Sequence, residues 1–434
     1  MPQTMSLPIA HPYLHLPVKN GAPKRWVRLC LEGRVVREFE IELAEGAPDY
    51  RVFSDVSAYQ GCTLTLTVEE LSPDSEALSN IHQALTVPDV EGTYHEKHRP
   101  QFHYTPRRGW VNDPNGMVYY DGEYHLFYQH NPYGVRWGNM HWGHAISRDL
   151  VHWEELPEAL YPDAMGTVFS GSAVVDRRNT ARLQEGPEET LVALYTAAGG
   201  TSPQSQGQPF VQCLAYSNDR GRTWHKYAGN PVLPHVAGGN RDPRVIWHES
   251  TGRWVMVLYL DGTEFGFFSS PDLKHWAMLS RIDLPGMHEV PDLFELPVDG
   301  DLRQRKWVLV AGYERFASER NGRQCLENGL YVIGDLDGTR FRPESGPHPL
   351  DMGGGYYSTQ TFSDIPADDG RRIQIAWMSS DFQAEGYPGM PFHGQFTFPC
   401  TLALRTLPEG VRLCRQPVRE IERLYRRKHV WKER

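Results

Sequence analysis

An excess of basic charge is the first thing this chain lacks. Across 434 residues, 44 Lys and Arg stand against 54 Asp and Glu, a formal net charge of −10 with histidines neutral. Phosphate backbones and anionic bilayers are held by clustered Lys and Arg, so nucleic-acid and membrane partners are disfavoured and a neutral substrate is expected. Long apolar runs are missing as well. None approaches about 18 residues, the length a membrane-spanning helix requires, and Met1 to Lys24 has no charged segment followed by an apolar core. The expectation is a cytoplasmic chain as it stands, or a secreted one if a signal peptide has been removed. The six cysteines (Cys30, Cys62, Cys213, Cys325, Cys400, Cys414) form no CxxC pair and no Cys/His cluster. That argues against zinc and for small buried hydrophobes in a reducing compartment. There is no GxSxG elbow, no HExxH, no GxGxxG and no P-loop, so serine hydrolase, zinc protease and nucleotide chemistry lack their signatures and no cofactor is expected. His141 and His144 lie in an aromatic-rich stretch, NMHWGHAIS, and are expected to pack within a strand rather than bind metal.

What is present is aromatic and alternating. Aromatics make up 12% of the chain, with 12 Trp and 21 Tyr, a palette that suits sheets and sugar-binding clefts. Helical periodicity is nearly absent until the end, while period-2 runs bounded by Gly, Pro, Asp and Asn recur throughout, so the class is all-β. The chain divides at about residue 97. Residues 1–97 read as a small β-sandwich-like accessory domain, with strands at Arg25 to Glu32, Val35 to Leu43, Tyr50 to Ser54 and Cys62 to Glu69 and turns at Glu32-Gly33 and Gln60-Gly61. Pro88 to Pro100 links it onward. Residues 98–408 form the larger domain, and 409–434 a linker-like tail in which Gln416 to Arg427 looks helical.

The larger domain repeats itself. A polar start, a hydrophobic strand, a turn and a second hydrophobic strand occur at Asp113 to Gln129, Phe169 to Thr196, Arg241 to Tyr259, Glu289 to Gly312 and Ser358 to Ser379. A Ser-x-Asp…Trp element follows three of them: Ser147, Asp149, Trp153; Ser217, Asp219, Trp224; and Ser270, Asp272, Trp276, with a degenerate copy at Asp335 to Phe341. Units of roughly 50 to 70 residues, each carrying about four strands, predict a five-bladed β-propeller; unrelated hairpins in a sandwich are the alternative. In a propeller the first strand of each blade lines the central channel, so Asp113, Arg241 with Asp242, and Glu289 converge on one funnel. Clustered carboxylates serve metal binding or paired acid/base work. A calcium loop of the DxDxDG kind is absent, which leaves the second use. Glycosidic cleavage needs one carboxylate as nucleophile and one carboxylic acid to protonate the leaving oxygen. A turn alone would explain Asp113 in Asn-Asp-Pro-Asn-Gly, but the turn sits directly before a strand and recurs as Arg-Asp-Pro at another blade.

Taken in order, Trp110-Val111-Asn112-Asp113-Pro114-Asn115-Gly116, Phe169-Ser170-Gly171-Ser172, Arg241-Asp242-Pro243, Glu289-Val290-Pro291-Asp292-Leu293-Phe294 and Trp377-Met378-Ser379 resemble the motif set of glycoside hydrolase family 32, the invertases, levanases, inulinases and related β-fructofuranosidases. The likeness covers about Arg99 to Arg405. It implies a five-bladed propeller with its pocket at the channel mouth and no cofactor. By motif, Asp113 would be the nucleophile that attacks the anomeric C2 of a fructofuranosyl unit, and Glu289 the acid and then the base. Asp242 would hold ring hydroxyls in the transition state, with Arg241 beside it. Asn112, Gln129, Trp137, Phe169, Ser170 and Trp377 would line the sugar pocket. Glu289 is then expected to have a raised pKa, from burial and the Asp113 and Asp242 charges.

Three departures qualify the resemblance. Val290 stands where the family often has Cys. The sequence stops before the β-sandwich that usually follows the propeller, so that domain is expected either to be absent or to have been cut off. The domain before the propeller resembles an accessory module of some bacterial levanase-type members and is expected to pack on the propeller more than to bind glycan. The implied activity is that of a retaining exo-β-fructosidase releasing fructose from fructans, fructo-oligosaccharides or sucrose. A fructosyltransferase at the same site, a catalytically silent glycan-binding propeller and a protein-interaction propeller are the alternatives.

Overall fold

The computed structural model describes residues 2–72, 74–88, 90–313, 328–353, 355–379, 389–427 and 429–430. Cys325 and the last four residues of the expected tail, 431–434, lie outside them. Residues 3–84 build two facing sheets. One has the strand order Gln3–Pro8, Thr63–Val68, Arg25–Leu31, Arg34–Ile41; the other has Tyr50–Asp55, Tyr13–Val18, His82–Ala84. Thr63–Val68 (TLTLTV) shows why such segments become strands: its leucines and valine point into the core while its threonines face outward. Tyr13–Val18, which pattern reading missed, sends Leu14, Leu16 and Val18 into the core with His15 and Pro17 between them, and the proline masks it because proline is rare in a central strand. Leu14, Leu16, Val27, Leu29, Phe39, Leu64 and Leu66 fill the space between the sheets.

Five antiparallel four-stranded units follow, numbered here as blades I to V; Phe392–His393 adds in parallel to the first strand of blade I, and a parallel Val298–Leu404 pair joins blades IV and V in one sheet. Blade I consists of Gly109–Tyr120, Glu123–Asn131, His141–Ser147 and Glu154–Leu160; blade II of Thr167–Val175, Leu191–Ala198, Phe210–Ser217 and His225–Lys226; blade III of Arg241–His248, Arg253–Asp261, Glu264–Ser270 and Ala277–Asp283. Blade IV consists of His288–Val298, Asp301–Tyr313, Asn328–Leu336 and Phe341–Pro349, and blade V of Tyr357–Thr361, Arg372–Trp377, Cys400–Leu407 and Gly410–Pro417. The first strand of each blade touches the first strand of the next, and that of blade V returns to that of blade I. Backbone bonds from Ser363 N–H to Met117 O and from Tyr119 N–H to Ser363 O, both 2.9 Å, close the ring. The chain is all-β, a five-bladed propeller preceded by a small β-sandwich, and packing blade against blade around the ring buries the sheet faces that five separate sheets would expose.

The core follows from this ring as layers between neighbouring blades. Phe127, Trp142 and Tyr195 pack between blades I and II, Trp254 and Phe268 belong to the II–III layer, and Phe265, Phe267 and Phe341 to the III–IV layer. His141 and His144 are buried in strand His141–Ser147, and His144 stacks on Phe127 at 4.1 Å. Among the described cysteines all are free, and only Cys213 is fully buried; Cys30, Cys62, Cys400 and Cys414 are half-buried, so the expectation of buried small hydrophobes holds for Cys213 alone. Each Ser-x-Asp…Trp element is the turn between third and fourth strands of its blade, in which the Asp carboxylate accepts backbone N–H groups, as Asp149 does from Val151 and His152. Among the described residues, no helix is long and apolar enough to cross a membrane.

The chain after 408 differs from the expected linker. Gly410–Pro417 pairs along its full length with Cys400–Leu407 and completes blade V, and among the described residues of the tail only Arg419–Leu424 is helical, as a short 3-10 turn. Its charged residues suggested a helix, but the fully buried Val418, whose N–H bonds to Pro399 O at 3.0 Å, anchors the segment to the propeller instead.

One layer into the channel lies a buried ion pair. Arg244 of blade III meets Asp292 of blade IV at 3.0 Å, with side-chain exposures of 1% and 0%. Arg244 also donates to Thr361 O and Oγ1 of blade V, and Asp292 accepts the Thr361 N–H at 2.7 Å. Arg244→Met strands a buried carboxylate and is expected to lower unfolding stability by about 3–5 kcal/mol. Urea denaturation reads the loss, and Arg244→Met combined with Asp292→Leu is expected to recover most of it.

Candidate active site

The site is built by one irregularity repeated five times. In every blade the pairing between first and second strand shifts register near the channel mouth: between Val111 and Pro114, Val168 and Gly171, Arg241 and Arg244, His288 and Asp292, and Tyr357 and Gln360. A bulge leaves residues unpaired and re-aims their side chains. Among those residues are Asn112 with Asp113, Phe169 with Ser170, Asp242, Glu289 with Val290, and Ser358. Asp242, Glu289, Val290 and Ser358 take left-handed backbone conformations, with φ of 63°, 27°, 44° and 49°. Such conformations cost on the order of 1–3 kcal/mol each and persist only where surroundings over-determine them. At Asp242 the surroundings do so from two blades: its N–H donates to Thr196 Oγ1 at 3.0 Å, and its Oδ2 accepts the Val290 N–H at 2.9 Å.

The bulges surround a cavity of about 270 Å³ lined by Asn112, Asp113, Gln129, Trp137, Phe169, Ser170, Arg241, Asp242, Glu289, Tyr357 and Trp377. Every pocket residue expected from the sequence is among them. Asp113 accepts from Ser170 Oγ at 2.7 Å and from Asn112 Nδ2 at 3.1 Å, and Asn112 is itself oriented by Trp110 Nε1 at 2.8 Å. Arg241 grips Glu289 Oε2 through Nη2 at 2.6 Å and Nε at 3.1 Å, while its Nη1 donates to Gly239 O at 2.8 Å. Arg241 Nε also lies 3.8 Å from Asp242 Oδ2. Gln129 donates to Val168 O at 3.0 Å. Trp137 and Phe169 meet edge-to-face at the rim, with ring centres 6.1 Å apart, and Trp377 packs against Trp110 on the opposite side.

Tyr357 was missed. Its hydroxyl donates to Glu289 Oε1 and lies 3.0 Å from His288 Nε2. The fifth repeat was read from Ser358, one residue late, and nothing in Tyr356-Tyr357 separates the residue facing the pocket from its neighbour buried beside Gln374.

The electrostatics overturn one expectation. Burial pushes Asp113 up to about 6, helped by the Glu289 charge and opposed by hydrogen bonds from Ser170, Ser358 and Asn112. Burial likewise pushes Asp242 up to about 7, against the Arg241 charge and with the charges of Glu289 and Asp113. Glu289, expected to be raised, is held below its ordinary value: burial acts to raise it, but the Arg241 charge and the hydrogen bonds from Tyr357 and Arg241 outweigh that. Burial and neighbouring carboxylate charges thus push Asp113 and Asp242 up, while the Arg241 charge and its hydrogen bonds pull Glu289 down. No group of three or more His, Cys, Asp or Glu side chains among the described residues is arranged to hold a metal ion.

Comparison with known proteins gives this geometry a context. Residues 103–417 match the Glycosyl hydrolases family 32 N-terminal domain. The chain is 47% identical over 349 residues to a levanase of Bacillus subtilis (strain 168), an alignment covering 78% of this chain and 50% of that one. Its fold matches the crystal structure of exo-inulinase from Aspergillus awamori with a TM-score of 0.67 and 34% identity, covering 75% of this chain and 68% of that chain. It also matches fructofuranosidase from Schwanniomyces occidentalis complexed with fructose, with a TM-score of 0.66 and 32% identity, over 75% of this chain and 64% of that chain. Ring and pocket are thus those of a propeller glycoside hydrolase. The chain belongs to glycosyl hydrolase family 32, and it spans about half the length of the Bacillus subtilis levanase.

Proposed function

We infer that this chain is a retaining exo-β-fructosidase that releases fructose from the ends of fructans and fructo-oligosaccharides, and from sucrose, through a covalent fructosyl-enzyme. The observation that carries this reading is the meeting of Asp113, Asp242 and Glu289, from blades I, III and IV, in one pocket with Arg241 and aromatic walls. A cavity of about 270 Å³ has room for one sugar ring, and the inner-strand Arg244–Asp292 pair is fully buried. A polymer therefore enters end-on and loses its terminal unit.

Asp113 attacks C2 of the terminal fructosyl unit, expelling the glycosidic oxygen, which takes a proton from Glu289. Water deprotonated by Glu289 then opens the fructosyl ester and frees Asp113. Asp242 accepts hydrogen bonds from ring hydroxyls and stabilises the oxocarbenium-like transition state. Because Arg241 and Tyr357 favour the carboxylate form of Glu289, the acid role requires the bound saccharide to draw Arg241 away from it. Trp137, Phe169 and Trp377 supply apolar faces for the sugar's C–H surface, while Asn112, Gln129 and Ser170 offer polar partners for its hydroxyls.

Product analysis of levan, inulin and sucrose digests, with and without excess saccharide acceptor, tests the reading. Free fructose as the product supports it; longer oligomers would make the chain a transferase, and no release from any substrate would remove the activity altogether. The pH profile is a second check. A carboxyl raised to about 6 is neutral below that pH and cannot attack. With the sign set by Asp113, kcat/KM is expected to fall as pH drops through about 6, whereas an ordinary aspartate would hold activity to about 4. A profile flat down to pH 4.5 would contradict it.

A further inference from the structure

The N-terminal sandwich reaches the rim of the pocket at one place. Its open edge is the strand Arg34–Ile41, and the propeller meets that edge with a side chain in place of a strand. Asn139 Oδ1 accepts the Glu40 N–H at 2.7 Å, and Asn139 Nδ2 donates to Glu40 O at 2.7 Å. An asparagine amide thus reproduces the two bonds a neighbouring strand would make, and it caps an edge that would otherwise be free to pair. Asn139 Nδ2 also donates to Asn131 Oδ1 at 3.0 Å, and Asn131 brackets the same loop from within, through Arg136 O at 2.7 Å and the Tyr133 N–H at 3.0 Å. Tyr133, from this loop, is buried in the sandwich core, stacked on Phe39 with ring centres 3.8 Å apart and its hydroxyl 3.3 Å from Ser54 Oγ. Both ends of the segment 131–139 are therefore tied to the sandwich, and between them stands Trp137, 53% exposed, forming the pocket rim with Phe169.

We propose that the N-terminal sandwich is a positioning element of the saccharide site: through the Asn139–Glu40 backbone clamp and the Tyr133 anchor it fixes the loop that carries Trp137 and so sets affinity for the saccharide. It rests on the reading of the pocket as a fructosyl site and goes beyond it by giving the accessory domain a role in substrate recognition without a glycan site of its own. A flat aromatic wall contributes to binding only if it is held still before the sugar arrives, because ordering a loop on binding is subtracted from affinity. The wall touches substrate alike in ground and transition states, so loosening it raises KM and leaves kcat nearly unchanged.

Two variants attack the clamp from opposite domains. Asn139→Gly removes the side-chain bonds while tolerating the residue's left-handed backbone, φ 47°. Glu40→Pro removes the outward N–H on an edge strand, where proline is tolerated. Glu40→Ala keeps the backbone clamp, losing only the ion pair with Lys24, and serves as the control. Each clamp variant is expected to raise KM for a fructo-oligosaccharide roughly three- to ten-fold with kcat within about two-fold, the control staying at the unsubstituted value. Their double variant is expected to be no worse than the worse single one, since both break the same contact. Peptide-level hydrogen exchange should show faster exchange across 131–139 in both variants, with the remaining propeller unchanged. Unaltered KM in both, or a rise in Asn139→Gly alone with the Glu40→Pro sandwich still protected from exchange, would overturn the proposal. If Glu40→Pro loses protection throughout the sandwich, KM and exchange in Asn139→Gly decide the matter together with Phe39→Leu, which weakens the Tyr133 stack. Absence of turnover in the unsubstituted chain would instead overturn the function, a separate outcome, and the exchange readout stands without it.

Discussion

Asp113→Asn is expected to lower kcat on every fructosyl saccharide by roughly four orders of magnitude while the chain stays folded. The amide keeps the shape of the carboxylate and can still receive the Ser170 hydroxyl now 2.7 Å from Oδ2, so the change isolates the nucleophile. An amide oxygen does not form the ester intermediate, and neighbouring groups offer no substitute: Asp242 is held by the Val290 N–H and Glu289 by Arg241 and Tyr357. Removing the Asp113 charge also removes one of the charges that raise Asp242, so residual binding is expected to persist with an altered pH dependence. Steady-state turnover of sucrose and levan, alongside a melting curve for folding, makes the measurement. A residual rate above about one hundredth of the unsubstituted chain's would show that Asp113 is not the nucleophile.

Glu289→Ala is expected to separate substrates by leaving group. On sucrose or fructan, whose departing alkoxide is poor, loss of the acid should cost about 10²- to 10⁴-fold in kcat/KM. On an activated fructoside whose leaving group departs unprotonated, the first step survives, and the loss falls on the later step, where Glu289 would have activated water. The substitution also leaves Arg241, which now makes two bonds to Glu289 Oε2, facing Asp242 alone, and so should pull the Asp242 pKa downward. Equal losses on natural and activated substrates would remove Glu289 from the acid role.

Much of the ring could be read from the chain. Repeated starts at Asp113, Phe169, Arg241, Glu289 and Ser358 all fall on the first strands of successive blades, because a strand buried between two neighbours must be apolar while the bulge at its channel end need not be. Tyr13–Val18 escaped because Pro17 interrupts its Leu14, Leu16, Val18 alternation with a residue that argues against a central strand. Gly410–Pro417 escaped because an outer propeller strand is charged and half-exposed, and only its pairing with Cys400–Leu407 makes it a strand.

The sequence by itself determined which residues would meet. Residue type and order named Asp113, Asp242, Glu289 and Arg241, since a closed ring of repeated units forces their equivalent positions into one funnel. The protonation of that funnel was decided by the tertiary structure. The direction of the Glu289 shift depends on where a guanidinium and a phenol lie to within an ångström, and Arg241 and Tyr357 reach Glu289 only because bulges in blades III, IV and V turn their backbones toward the channel. The role proposed for the first domain was likewise invisible before folding. Asn139 and Glu40 lie 99 residues apart, and a contact made through backbone groups on one side leaves no residue type to betray it.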